Sequence, residues 1–152
     1  MRAVLQRVRR GSVTVEDRAV SVIGPGLVIL LGVGVGDTPA QADWMAEKVA
    51  TLRVFEDPDG KTNLSIQDVK GSALVVSQFT LYADTRKGRR PSFLGAALPA
   101  AAAPLVEHFA AGLARHGVPV ERGAFGAHMV VEIENDGPLT IWLERTQGAA
   151  AA

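Results

Sequence analysis

The segment Gly26 to Val35 (GLVILLGVGV) is apolar on both sides of its backbone, and its bounding glycines and β-branched residues read as a strand covered on both faces. Such a strand belongs in the middle of a sheet. Before it, apolar and polar side chains alternate with a period of two in Val4, Gln6, Val8, then Ser12, Val13, Thr14, Val15, Glu16, then Val20, Ser21, Val22. That pattern reads as antiparallel strands joined by short turns. Ala73 to Leu81 (ALVVSQFTL) reads as another buried strand, but Ser77, Gln78 and Thr80 break its apolar run and mark the first place to look for chemistry. Met129 to Glu134 and Leu139 to Glu144 alternate around Asn135-Asp136-Gly137-Pro138, which reads as a hairpin or tight connection.

Two helices complete the pattern. Thr38-Pro39 supplies a capping oxygen and a first-turn proline, and Ala42, Met45, Val49 and Leu52 form an apolar stripe in a helix expected to run to about Val54. A second spans roughly Ala100 to His116, with Leu105, Val106, Phe109 and Leu113 on one face, Gly117 at its C-terminal cap and Pro119 beyond. With no repeat or linker, the expectation is one α+β domain over 1–146, dominated by antiparallel strands, and a frayed tail over 147–152.

Composition excludes several functions. The absence of cysteine removes disulfides, thiolate metal sites and cysteine nucleophiles. The longest strongly apolar run is far below the roughly 20 residues that cross a bilayer, and Met1-Arg2 leads into alternation rather than a signal peptide. No membrane association is therefore expected, and a cytoplasmic protein is the default. The 16 basic residues balance the 16 acidic ones, so no global field holds nucleic acid and any RNA contact must be local. The one concentrated basic stretch is Arg86, Lys87, Arg89 and Arg90, a run that also suits an ordinary solvated loop.

Other candidates fail on spacing. Gly32, Gly34 and Gly36 lie between a strand and a helix, but Asp37 stands where a dinucleotide fingerprint needs glycine. His108, His116 and His128 have no spacing that puts two on one face, and Glu56 to Gly60 (EDPDG) lacks a calcium ligand ladder, so neither metal nor cofactor is expected. Ser77 and Thr80 offer hydroxyls with no evident base to activate them. They suit backbone hydrogen bonds at a strand end, and Ser-Gln-x-Thr equally suits a polar wall around a ligand.

Ser77-Gln78-Phe79-Thr80-Leu81 and Asn135-Asp136-Gly137-Pro138-Leu139-Thr140 resemble the SQFTL and N-x-G-P-x-T motifs of the D-aminoacyl-tRNA deacylases. The resemblance runs from Leu5-Gln6-Arg7-Val8 through Gly60-Lys61, Asn63-Leu64 and Arg90-Pro91-Ser92-Phe93 to Trp142-Leu143, with Thr62 standing where methionine is expected. It implies a barrel-like sheet with two packed helices, and a homodimeric editing hydrolase acting on tRNA that carries a D-amino acid or glycine, including tRNA-Ala mischarged with glycine. Ser77, Gln78, Phe79 and Thr80 would form the catalytic wall. A cis Gly137-Pro138 would enter the partner's pocket and reject L substrates, with Arg7 orienting its carbonyls and Met129 and Phe125 nearby. The 2′-hydroxyl of the terminal ribose would assist the attacking water. Arg86, Lys87, Arg89 and Arg90 would then contact tRNA phosphate. Two alternatives remain at this point: a nucleic-acid-binding dimer without hydrolysis, and an esterase with Thr80 as nucleophile.

Overall fold

The computed structural model describes residues 1–146, so the expectation for the tail falls outside the described residues. The chain runs through β1 (Arg2–Val15), β2 (Arg18–Ile23), β3 (Gly26–Gly32), α1 (Pro39–Thr51), β4 (Phe55–Glu56), β5 (Thr62–Leu64) and β6 (Ser72–Ser77). A 3-10 turn over Phe79–Tyr82 follows, then α2 (Pro99–Arg115), β7 (Val120–Arg122) and β8 (Val130–Glu144). The main sheet follows the order β2-β1-β3-β6-β7, with β8 added to β1. It is mixed: β1 is antiparallel to β2, β3 and β8, whereas β6 is parallel to β3 and β7. As expected for a strand apolar on both sides, β3 is central, between β1 and β6.

The sheet curls until its ends meet, with Ser21 Oγ of β2 donating to the Arg122 carbonyl of β7 at 2.8 Å. Val8, Val13, Ile23, Val28, Leu74 and Val76 fill the inside of this barrel-like turn. The opposite face carries the larger core, where Leu5, Leu27, Ile29 and Val75 pack with Met45 and Val49 of α1 and Phe109 and Leu113 of α2. Burying each such side chain contributes about 1.5–3 kcal/mol, and this double-sided burial accounts for the lack of polar alternation in β3.

Four expectations change. The two alternating segments before position 16 form the single strand β1, which pairs with β3 over residues 2–8 and β2 over residues 11–15 while β8 holds its other edge. The real turn is Glu16-Asp17, both at positive φ (48° and 60°), which matches the right-handed twist of a hairpin. Helix α1 ends at Thr51, short of Val54, because Val54 bonds instead to β5, its N–H donating to Leu64 O at 3.0 Å. Strand β6 stops at Ser77: Gln78 N–H makes one last bond to β3, at 2.8 Å from Leu31 O, and the chain then winds into the 3-10 turn, where Leu81 N–H donates to Gln78 O at 3.3 Å. Finally, Asn135 to Pro138 is no hairpin. It is a bulge inside β8, since β1 continues past it as partner to both halves.

Candidate active site

The end of β6 and the 3-10 turn open one wall of a cavity of about 540 Å³. Leu31, Val33, Val76 and the Phe79 ring contribute apolar surface, Ser77 and Gln78 the polar wall, and Phe125 and Met129 line it from the segment entering β8. Phe79 is 56% exposed and meets Phe93 edge-on, with ring centroids 5.1 Å apart. Ser77, Gln78, Phe79, Phe125 and Met129 are thus brought together around one cavity. Thr80 sits beside them without lining the cavity, and its hydroxyl accepts a hydrogen bond from Gln78 Nε2. Phe79 and Thr80 begin the turn, where backbone N–H groups have no partner within the helix.

His128 also lines the cavity and was missed as a site residue. Among the described residues it is the one histidine that lines the cavity. Only its place next to Met129 could have pointed to it. No cluster of three His, Cys, Asp or Glu among the described residues is disposed to hold a metal. No helix among them is long and apolar enough to cross a membrane.

Gly137, Pro138 and Arg7 do not line this cavity. Gly137 and Pro138 are exposed on β8, and the peptide between them is cis. Gly137 has φ 129°, and an added Cβ would lie 2.9 Å from Arg7 Nη2, so this position requires glycine. Arg7 is only 6% exposed. Its Nε donates to the Asp136 carbonyl at 3.1 Å and its Nη1 to the Val54 carbonyl at 2.8 Å. The guanidinium therefore holds the carbonyl just before Gly137. Its charge is met by Glu56 at 3.5 Å and Asp136 at 3.6 Å.

Behind the turn lies a second polar cluster. Arg2 Nη1 donates to the Leu81 carbonyl at 2.9 Å, its Nε pairs with Glu144 at 2.7 Å, and its guanidinium lies over the Tyr82 ring (4.4 Å) and near Trp142 (5.7 Å). Tyr82 Oη reaches Asp37 Oδ2 at 3.4 Å, and Asp37 also pairs with the Met1 α-ammonium and accepts from Gly34 N–H. Burial, then the Asp37 charge, pushes the Tyr82 phenol well above its ordinary value.

The basic loop is exposed and closed at its neck by a bridge between Asp84 and Ser92. Arg86 is already engaged, since its Nε and Nη2 donate to the Asp84 carboxylate at 2.9 and 2.7 Å. These bonds, with one from the Arg86 backbone, hold the Asp84 carboxyl well below the usual carboxylate range. Lys87, Arg89 and Arg90 make no ion pair among the described residues.

The chain is similar to known proteins over nearly all of its length. Residues 4–144 match the family model described as D-Tyr-tRNA(Tyr) deacylase. A D-aminoacyl-tRNA deacylase of Thermomicrobium roseum is 61% identical over 147 residues, covering 97% of this chain and 96% of the relative. One from Roseiflexus castenholzii is 62% identical over 144 residues, covering 95% and 92%. Among solved structures, one described as c-Myc DNA Unwinding Element Binding Protein superposes with a TM-score of 0.89 at 42% identity, covering 96% of this chain and 99% of that one. A probable eukaryotic D-amino acid tRNA deacylase shares the fold with a TM-score of 0.78 at 20% identity, covering 93% and 97%.

Proposed function

Since the chain belongs to the D-Tyr-tRNA(Tyr) deacylase family and its activity is that of a D-aminoacyl-tRNA deacylase, a hydrolase, we propose that it works as a cytoplasmic homodimer in which the Gly137-Pro138 segment of each subunit completes the cavity of the other. The observation that carries this reading is the separation of the two motifs. The Ser77-Gln78-Phe79 wall lines a cavity, while Gly137 and Pro138 stand exposed outside it on β8, a strand whose one partner among the described residues is β1. An exposed, oriented bulge is available to a second copy.

In the completed pocket the segment acts as a gate. An L side chain collides with it, a D side chain points away, and glycine has nothing to collide, so glycyl-tRNA, including mischarged glycyl-tRNA(Ala), is also hydrolysed. Selection works by rejecting the wrong hand. Arg7, buried and bonded to the carbonyl ahead of Gly137, keeps the segment from swinging.

Hydrolysis breaks the ester between the amino acid and the terminal ribose. Water attacks the carbonyl carbon, assisted by the 2′-hydroxyl, and the proton ends on the departing ribose oxygen. The protein positions the ester and stabilises the oxyanion through Phe79 and Thr80 N–H groups, each donor worth about 3 kcal/mol. Thr80 is poorly placed as a nucleophile, because Gln78 donates to its hydroxyl and an amide N–H cannot take its proton. Lys87, Arg89 and Arg90 meet tRNA phosphate.

The test compares hydrolysis of D-tyrosyl- and L-tyrosyl-tRNA by the parent and Pro138→Ala, with a 2′-deoxy terminus as a third substrate. Loss of selectivity in the variant, and a very poor 2′-deoxy substrate, are expected. Unchanged selectivity removes the gate, and rapid 2′-deoxy hydrolysis removes substrate assistance. Thr80→Ala retaining substantial turnover distinguishes this mechanism from covalent catalysis.

A further inference from the structure

The register of β8 against β1 isolates the Gly137-Pro138 segment. Gln6 pairs with Thr140 and Val8 with Asn135, so two steps along β1 are matched by five along β8 and three extra residues are carried in the bulge. On an edge strand nothing else in the sheet would hold such an excess in one place.

We propose that Gln6, Asn135 and Thr140 form a clasp across the neck of this bulge and are positioning residues for stereochemical discrimination, an inference that rests on the segment being the gate. Gln6 Oε1 accepts from Asn135 Nδ2 at 2.7 Å and from the Thr140 hydroxyl. Asn135 Nδ2 also donates to the Leu139 carbonyl at 3.3 Å, closing a ring around Asp136, Gly137 and Pro138. Successive strand residues point to opposite faces, so Gln6 grips the neck from one face while Arg7, next in sequence, grips the Asp136 carbonyl from the other.

The Asn135 amide reveals what the clasp is for. Its Oδ1 is buried without a partner among the described residues, an arrangement that lowers stability. Turning the amide over would place that oxygen against two acceptors, Gln6 Oε1 and Leu139 O, so the network fixes the orientation. Apolar side chains would fill a purely structural neck without orphaning an acceptor. The clasp also uses Gln6 only as an acceptor, which predicts that a carboxylate can replace it while a hydrocarbon cannot.

The experiment measures kcat/KM for D- and L-tyrosyl-tRNA, with Tm, in the parent, Gln6→Leu, Gln6→Glu, Thr140→Val and Pro138→Ala. Gln6→Leu should raise the L/D ratio at least tenfold and Thr140→Val less, whereas Gln6→Glu stays within about twofold of the parent. Thr140→Val removes one bond with little change of shape, so it keeps the test alive if Gln6→Leu fails to fold. The clasp is overturned if Pro138→Ala raises the ratio but Gln6→Leu and Thr140→Val lower only Tm. If Pro138→Ala leaves the ratio unchanged, the gate falls and the clasp with it. A ratio in Gln6→Glu as high as in Gln6→Leu also overturns the acceptor argument.

Discussion

Gly34→Ala tests whether the turn carrying Phe79 and Thr80 is braced from behind. Gly34 is buried, its N–H donates to Asp37, and it bridges to Ala96 beside the cavity. A Cβ there would lie 2.5 Å from Tyr82 Oη, 2.6 Å from Cζ and 2.7 Å from Cε1. Comfortable carbon contacts are about 3.5–4.0 Å, so a rigid ring must retreat by roughly 1 Å. Overpacking of this kind costs about 1–3 kcal/mol, equivalent to a Tm drop of about 2–12 °C in a domain of this size. Tyr82 ends the turn that carries Phe79 and Thr80, and a misplacement of about 1 Å at a reacting centre can lower turnover roughly 100-fold. Thermal unfolding and single-turnover deacylation would be measured for Gly34→Ala, Tyr82→Ala and the double variant. Tyr82→Ala removes the clash, so adding Gly34→Ala to it should cost far less than it does in the parent. Equal costs of Gly34→Ala in both backgrounds would refute the reasoning.

Tyr82 is the one tyrosine in the sequence, so tyrosinate absorbance reports it alone. Its folded pKa lies above the ordinary value of 10.0, so the associated stability is fully present below that pH and lost as pH rises through the folded value. Tyrosinate should therefore appear together with unfolding in alkali, and half-ionisation near pH 10 in still-folded protein would contradict this. For Asp84 the sign is opposite: its pairing with Arg86 persists as pH falls through the ordinary 3.8 and is lost only further down. A carboxyl NMR titration should show that low midpoint, and Arg86→Ala should raise it. Replacing Lys87, Arg89 and Arg90 with Gln should reduce the salt slope of tRNA binding by about 2–3, whereas Arg86→Gln should change it less because that cation is already paired. Binding isotherms over a salt series decide the point, and an equal effect of Arg86→Gln would count against it.

Local chemistry made part of this molecule legible. The apolar run of β3, the proline start of α1 and the glycine after α2 each signal through neighbours in sequence, and both motifs stand out as residues. The continuity of β1 did not, because exposed Arg9 and Arg10 look like a break until β8 is seen pairing on both sides of them. Asn135 to Pro138 has turn composition, yet a long partner strand converts the turn into a bulge. The support behind Tyr82 joins residues 45 positions apart, and no spacing rule encodes that. His128 escaped because a lone histidine carries no signal until a cavity surrounds it.

The pairing of β1 with β8 also sets the order of assembly. Arg2 and Glu144 face each other across 142 positions, so the first strand made waits for nearly the whole chain before one edge is covered. Non-local pairing of this kind slows folding and leaves an apolar edge open during synthesis. Nascent chains stalled before β8 emerges should therefore depend most heavily on chaperones, and truncations that remove β8 should aggregate rather than fold to a smaller domain.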